Sequence, residues 1–215
     1  MSSARPKLDF DFYFVTDRKV SRQGDLADVR AALAAGCRII QYREKDLATR
    51  EIYSTALELA KLCKSHKAFF IVNDRVDIAL AVGADGVHLG RKDLPYATAR
   101  ALLGKEKIIG ISANSLAGAL EAQKSGADYV SASPVFFTQT KSDLDKPGGV
   151  ALVKQFSQNL KISFTCIGGI NLANLDQVLD AGARSVCAIT ATVGSDDVEG
   201  AVRAFRQKIL LKKLG

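Results

Sequence analysis

Four times along the chain a helical pattern stops at a glycine and an apolar run begins two or three residues later. The junctions are Ala35-Gly36-Cys37, Val82-Gly83-Ala84, Ser125-Gly126-Ala127 and Ala181-Gly182-Ala183. Glycine just past a helix end supplies the left-handed cap, so each junction reads as helix, stop, strand. In a chain of 215 residues this recurrence argues for repeated βα units. The apolar runs place strands at Phe12–Thr16, Arg38–Gln41, Ala68–Val72, Gly86–Leu89, Ile108–Ile111, Tyr129–Ala132, Ser163–Ile167 and Ser185–Ile189. Helical spacing places helices at Asp25–Ala35, Thr49–Ser65, Pro95–Leu103, Leu116–Ser125, Val150–Gln158, Asn174–Ala181 and Val198–Leu211. Only Val76–Val82 is short for a crossover helix. Eight strands alternating with helices predict an α/β fold, a single (β/α)8 TIM barrel over residues 1–215.

Polar chemistry follows the apolar runs. Ile39-Ile40 leads into Gln41-Tyr42-Arg43-Glu44-Lys45, Phe69 to Val72 into Asn73-Asp74-Arg75, and Ile108 to Ile111 into Ser112. Tyr129 to Phe137 leads into Thr138-Gln139-Thr140-Lys141. Ligands of parallel sheets bind beyond the C-terminal strand ends, so these groups predict one site at the barrel mouth. Gln41, Arg43 and Lys45 alternate along an extended segment and share a side. Two cations and an amide there suit a diphosphate; the competing reading pairs them with Glu44 or Asp46 at the surface. Asp74 and Asp93 follow neighbouring strands and can aim two carboxylates at one hard cation such as Mg²⁺. Asp93 also precedes Leu94-Pro95, where it could simply cap a helix. Gly168-Gly169 and Thr190 follow the last two strands, where barrels commonly bind phosphate through backbone N–H groups. That second region implies a second phosphorylated ligand. The long connection 133–149, with Pro134, Pro147, Gly148 and Gly149, is expected to be a mobile loop over the site.

Composition narrows the partners. A formal charge of +7 with 7% aromatic residues, not interleaved with the basic ones, suits an anionic small molecule better than nucleic acid. The basic residues Lys208, Lys212 and Lys213 read as a solvated helix end. No apolar stretch approaches the ~20 residues that span a bilayer, and no secretory signal is visible in Met1 to Phe10. The expected compartment is therefore cytoplasmic, with no membrane partner. Self-association into a homo-oligomer stays open. Cys37, Cys63, Cys166 and Cys187 have no ligand-like spacing and read as small core residues, and two histidines are too few for a histidine metal site.

These segments together resemble the thiamine-phosphate synthase family from Phe12 to Thr192. The resemblance rests on Tyr13 to Arg18, Gln41 to Lys45, Asn73-Asp74 with Val76 to Leu80, Gly86 to Gly90 with Asp93, Gly110-Ile111-Ser112, Pro134-Val135-Phe136 with Thr138 to Lys141, and Gly168-Gly169-Ile170. It implies a transferase. The implied reaction condenses 4-amino-2-methyl-5-hydroxymethylpyrimidine diphosphate with a (carboxy)hydroxyethylthiazole phosphate, through a pyrimidine methylene cation. Gln41, Tyr42, Arg43, Glu44, Lys45, Asn73, Ser112 and Lys141 would contact the pyrimidine diphosphate, with Arg43, Lys45, Ser112 and Lys141 catalytic. Asp74 and Asp93 would hold Mg²⁺. Thr138, Gln139, Thr140, Gly168, Gly169, Ile189 and Thr190 would bind the thiazole phosphate.

Ser133, Phe137, Asn114 and Thr190 depart from the residues usual at those positions, although Thr190 keeps a hydroxyl. The related thiazole tautomerase lacks the Asn-Asp pair and needs a histidine where this chain has Pro134. A non-catalytic phosphometabolite sensor on the same barrel would have lost a cation or a carboxylate, and none is missing.

Overall fold

The structure, a computed structural model, describes residues 8–138, 140 and 146–214. Seven parallel strands run in sequential order: β1 (Tyr13–Val15), β2 (Ile39–Tyr42), β3 (Phe69–Asn73), β4 (Gly86–Leu89), β5 (Ile108–Ala113), β6 (Tyr129–Ala132) and β7 (Ser163–Cys166). The crossovers are α1 (Asp25–Ala34), α2 (Thr49–Ser65), α3 (Val76–Ala81), α4 (Tyr96–Leu103), α5 (Leu116–Ser125) and α6 (Gly149–Asn159). α7 (Leu175–Asp180), α8 (Ile189–Thr192) and α9 (Val198–Leu214) follow. No helix among the described residues is long and apolar enough to cross a membrane.

The eighth strand is shorter than its apolar run predicts. Val186 bridges in parallel to both Phe12 and Cys166. Its carbonyl accepts from Tyr13 N–H at 2.9 Å, while Cys187 N–H donates to Cys166 O at 2.8 Å. Those contacts join β7 to β1 and close the barrel, so the (β/α)8 architecture holds. The predicted strand tail Ile189 instead opens α8.

Helices form where the spacing demands it. In α2, Ile52, Ala56, Leu59, Leu62 and Cys63 are buried on one stripe, and Glu51 reaches back to accept from Ala48 N–H. α5 starts where Ser115 Oγ accepts from Gly118 N–H at 3.2 Å. It stops at Gly126, whose φ of 98° is the left-handed cap.

Two apolar layers result. The larger lies between strands and helices, around residues such as Ile40, Tyr42, Phe70, Val87 and Phe156. The smaller fills the barrel floor: Leu8, Phe10, Tyr13, Val15, Ile39, Ile71, Tyr129 and Cys187. Arg206 of α9 grips both oxygens of Asp11 at 3.1 and 2.8 Å, pinning the last helix under the barrel. All four cysteines are buried and unbridged.

Candidate active site

Above the filled floor the barrel opens into a cavity of about 600 Å³ at the C-terminal strand ends. Gln41, Arg43, Lys45, Asn73, Asp74, Asp93 and Ser112 line it, as do Thr138, Thr140, Gly168, Gly169, Ile189 and Thr190. Gln139 and Lys141 lie outside the described residues, so the central part of the 133–149 loop adds nothing to this geometry. The base of that loop is fixed: Gly148 N–H donates to Pro134 O at 3.0 Å and Gly149 N–H to Val135 O at 2.9 Å.

Strand parity sorts the segment after β2. Gln41, Arg43 and Lys45 face the cavity. Tyr42 points the other way into the outer core and is 1% exposed. Glu44 turns back, its Oε1 accepting from the N–H groups of Lys45, Asp46 and Leu47 at 2.7, 2.7 and 3.3 Å. Tyr42 and Glu44, expected among the substrate contacts, are therefore placed outside the cavity. One builds the core and the other builds the turn that aims Lys45.

Arg43 does not pair with Glu44 or Asp46. Its Nη1 donates to Asp17 Oδ2 at 2.7 Å, with Asp17 nearly buried, and its own N–H donates to Thr16 Oγ1 at 3.0 Å. Asp17 thus holds the guanidinium in the lining of the cavity. Nη2 reaches Thr140 O at 3.5 Å.

The two acidic residues meet. Asp74 leaves β3 with φ of 60°, a left-handed conformation that Asp tolerates better than most residues. Its N–H donates to His88 O at 2.9 Å. Burial raises the Asp74 carboxyl from the ordinary 3.8 to about 6, helped by a side-chain hydrogen bond with Asp93 and by the charge of Asp93, and opposed by Lys45. Lys45 Nζ lies 3.2 Å from Asp74 Oδ2. Asp93 does not cap α4, whose N-cap is Pro95; its Oδ2 accepts from Gly90 N–H at 2.7 Å. Two part-buried carboxylates lie together here, with Lys45 beside one of them. A hard divalent cation fits that pair. No cluster of three or more acidic, histidine or cysteine side chains suited to a metal occurs among the described residues. Water and substrate oxygens would therefore complete the shell, as Mg²⁺ prefers.

Next to Arg43 lies a surface of different chemistry. Thr138 and Thr140 hydroxyls are 3.1 Å apart, and Thr140 Oγ1 is 3.4 Å from Thr190 Oγ1. Phe136 N–H donates to Gly168 O at 2.9 Å, stitching the loop base to the Gly168-Gly169 turn. A Cβ on Gly169 would overlap Phe137 O, so only glycine lets these backbones approach. The departure residue Phe137 is 64% exposed and lines the mouth.

Comparison with known proteins settles the family. Residues 12–192 match the family described as thiamine monophosphate synthase. The chain belongs to that family. It is 48% identical over 197 residues to the thiamine-phosphate synthase of Methanosarcina mazei, covering 92% of this chain and 82% of that one. The Clostridium novyi thiamine-phosphate synthase is 42% identical over 199 residues, covering 92% and 98%. The solved thiamine phosphate pyrophosphorylase of Pyrococcus furiosus superposes with a TM-score of 0.87 at 39% identity, covering 96% of this chain and 98% of that one. As a member of the thiamine monophosphate synthase family, the chain is an enzyme of the transferase class.

Sequence reasoning passed over Asp17, Tyr13, Tyr129 and His88 as site builders. The histidine sits in a strand whose other members are apolar, and only its strand parity with Asn73 marks it as facing inwards.

Proposed function

We propose that this transferase makes thiamine phosphate by joining 4-amino-2-methyl-5-hydroxymethylpyrimidine diphosphate to (carboxy)hydroxyethylthiazole phosphate. The observation that carries this reading is a single cavity lined by two dissimilar polar clusters, which adjoin where Arg43 Nη2 reaches Thr140 O. One bears Arg43, Lys45 and the Asp74–Asp93 pair; the other bears the Thr138–Thr140–Thr190 hydroxyls and the Gly168-Gly169 backbone. Two phosphorylated substrates can each meet one cluster, with their rings in the shared cavity.

In this reading the C–O bond to the pyrimidine methylene breaks and its electron pair leaves with the diphosphate. The thiazole nitrogen lone pair then forms the new C–N bond, and nothing is oxidised or reduced. Arg43, held by Asp17, offers a two-pronged donor to the departing diphosphate, and Lys45 offers a point charge. Asp74 and Asp93 would hold Mg²⁺, which would supply further neutralisation of the departing charge. Because the leaving group gains charge as the bond breaks, these cations favour the transition state over the ground state. The apolar side chains of Val15, Ile167 and Ile170 line the same cavity and limit water's access to a methylene cation. Catalysis is positioning and electrostatics, with no nucleophile required. Pro134 lines the cavity and can act as neither acid nor base, which disfavours a tautomerase reading.

The test is steady-state diphosphate release by the purified protein with both substrates and Mg²⁺. Release that stops when either substrate is omitted supports the proposal. No release with both present overturns it.

A further inference from the structure

Beneath the cavity, five side chains join hand to hand across the barrel. Gln41 Nε2 donates to Tyr13 Oη at 2.9 Å, Tyr13 Oη and Tyr129 Oη are 2.6 Å apart, and Tyr129 Oη lies 3.0 Å from His88 Nδ1. His88 Nε2 is 2.9 Å from Ser112 Oγ. The chain starts at one cavity-lining residue and ends at another, and its middle is buried.

It is a built feature. His88, Gly110 and Tyr129 are register partners on three adjacent strands. A Cβ on Gly110 would overlap the Tyr129 ring, so its missing side chain is what lets Tyr129 reach His88. The His88 and Tyr129 rings stack at 5.5 Å, and Phe10 packs edge-on against both tyrosines from below. Burial pushes both phenols well above their ordinary range, so both stay protonated and each can give one hydrogen and take one.

Such a chain can run in only two directions. The Gln41 amide nitrogen sits 2.9 Å from Tyr13 Oη, which leaves the amide oxygen to face the cavity. Tyr13 must then donate to Tyr129, Tyr129 to His88 Nδ1, and His88 Nε2–H to Ser112 Oγ. The Ser112 hydroxyl hydrogen is left to point elsewhere. Gln41 thus offers an acceptor to the cavity and Ser112 a donor. An aminopyrimidine has the complementary pattern, an exocyclic N–H donor and ring-nitrogen acceptors. The oxo counterpart inverts part of it.

We propose that Tyr13, Tyr129 and His88 are positioning residues that lock the donor–acceptor polarity of Gln41 and Ser112, and thereby make the site select an aminopyrimidine over its oxo analogue. The ligand half of this inference rests on the function proposed above; the chain's polarity does not.

Two measurements test it. The ligand-free protein has two histidines, and His66 is exposed, so the ring nitrogens of His88 can be read by ¹⁵N NMR. The expected result is a ring that carries its hydrogen at Nε2 and accepts at Nδ1, with the two tautomers mixing in Tyr129→Phe. A wild-type ring protonated at Nδ1 overturns the polarity whatever the enzyme's substrates are. The second measurement is the dissociation constant of the aminopyrimidine diphosphate and of its oxo analogue. Cutting one buried hydrogen bond should lower the wild-type preference for the amino compound roughly ten-fold in Tyr129→Phe, with the thiazole phosphate KM unchanged. A merely structural role would weaken both pyrimidines alike and leave the preference intact, and that result overturns the proposal. If Tyr129→Phe does not fold, Tyr13→Phe cuts the chain one link away and is read in the same way.

Discussion

Replacing Asp74 with asparagine should make the metal-free protein more stable while destroying its response to Mg²⁺. In the folded chain the Asp74 carboxyl rises from the ordinary 3.8 to about 6, chiefly through burial and then through Asp93. That rise corresponds to about 3 kcal/mol of unfavourable free energy once the group is ionised. Asparagine removes the charge, keeps the shape and tolerates the 60° φ. It also loses the pair with Lys45, whose side chain is 49% exposed, so that loss is worth only about 0.5 kcal/mol. The net expectation is a gain of about 2 kcal/mol, equivalent to a Tm rise of about 5 °C for a domain of this size. The sign follows from linkage. The folded state binds the extra proton between pH 3.8 and about 6, so wild-type stability falls as pH rises through that window and then levels off. Thermal unfolding in chelator should therefore show the gain at pH 8 and lose it near pH 4. Adding Mg²⁺ at one hundred times its Kd should restore about 2.7 kcal/mol to the wild type and nothing to the variant. Equal stability of the two proteins at pH 8 in chelator would refute the reasoning.

Asp17→Asn should leave the fold intact but loosen Arg43, raising the KM for the pyrimidine diphosphate about ten-fold with a smaller change for the thiazole phosphate; steady-state kinetics with each substrate varied check this. Gly169→Ala must accommodate a Cβ against Phe137 O at a φ of 63°, so it should cost about 1–3 kcal/mol in urea unfolding and raise the thiazole phosphate KM more than the pyrimidine KM. Lys141→Ala, expected on sequence grounds to remove a cation from the leaving group, should slow single-turnover chemistry on the order of 10²-fold at saturating pyrimidine diphosphate, and an unchanged rate removes Lys141 from the catalytic set.

The barrel was legible because its punctuation is local. Thr49–Ser65 and Leu116–Ser125 are helices with the bounds their periodicity predicts, and Gly86–Leu89 and Tyr129–Ala132 are strands likewise. The apolar run Ser185–Ile189 misled because hydrophobicity cannot tell a strand residue from the first turn of a buried helix, and Ile189 belongs to the latter. In the site, Gln41, Arg43 and Lys45 could be placed by their alternation. The same alternation sends Tyr42 to the opposite side, into the outer core. Asp17 and Arg43 are far apart in sequence, and nothing local announces that one will hold the other. The tyrosine–histidine chain was hidden inside apolar strands. Its one trace is Gly110 interrupting Ile108-Ile109 and Ile111, where a glycine in a strand signals a close approach from a neighbour.

If one cavity brings two phosphorylated rings together and joins them as diphosphate departs, diphosphate and thiamine phosphate must form in a single event. Rapid-quench single turnover with excess enzyme, both substrates and Mg²⁺ tests it most directly, with diphosphate and thiamine phosphate measured in the same samples. Both products should appear in equal amounts at one rate, and omitting Mg²⁺ should stop both. Diphosphate formed without an equal amount of thiamine phosphate would contradict it.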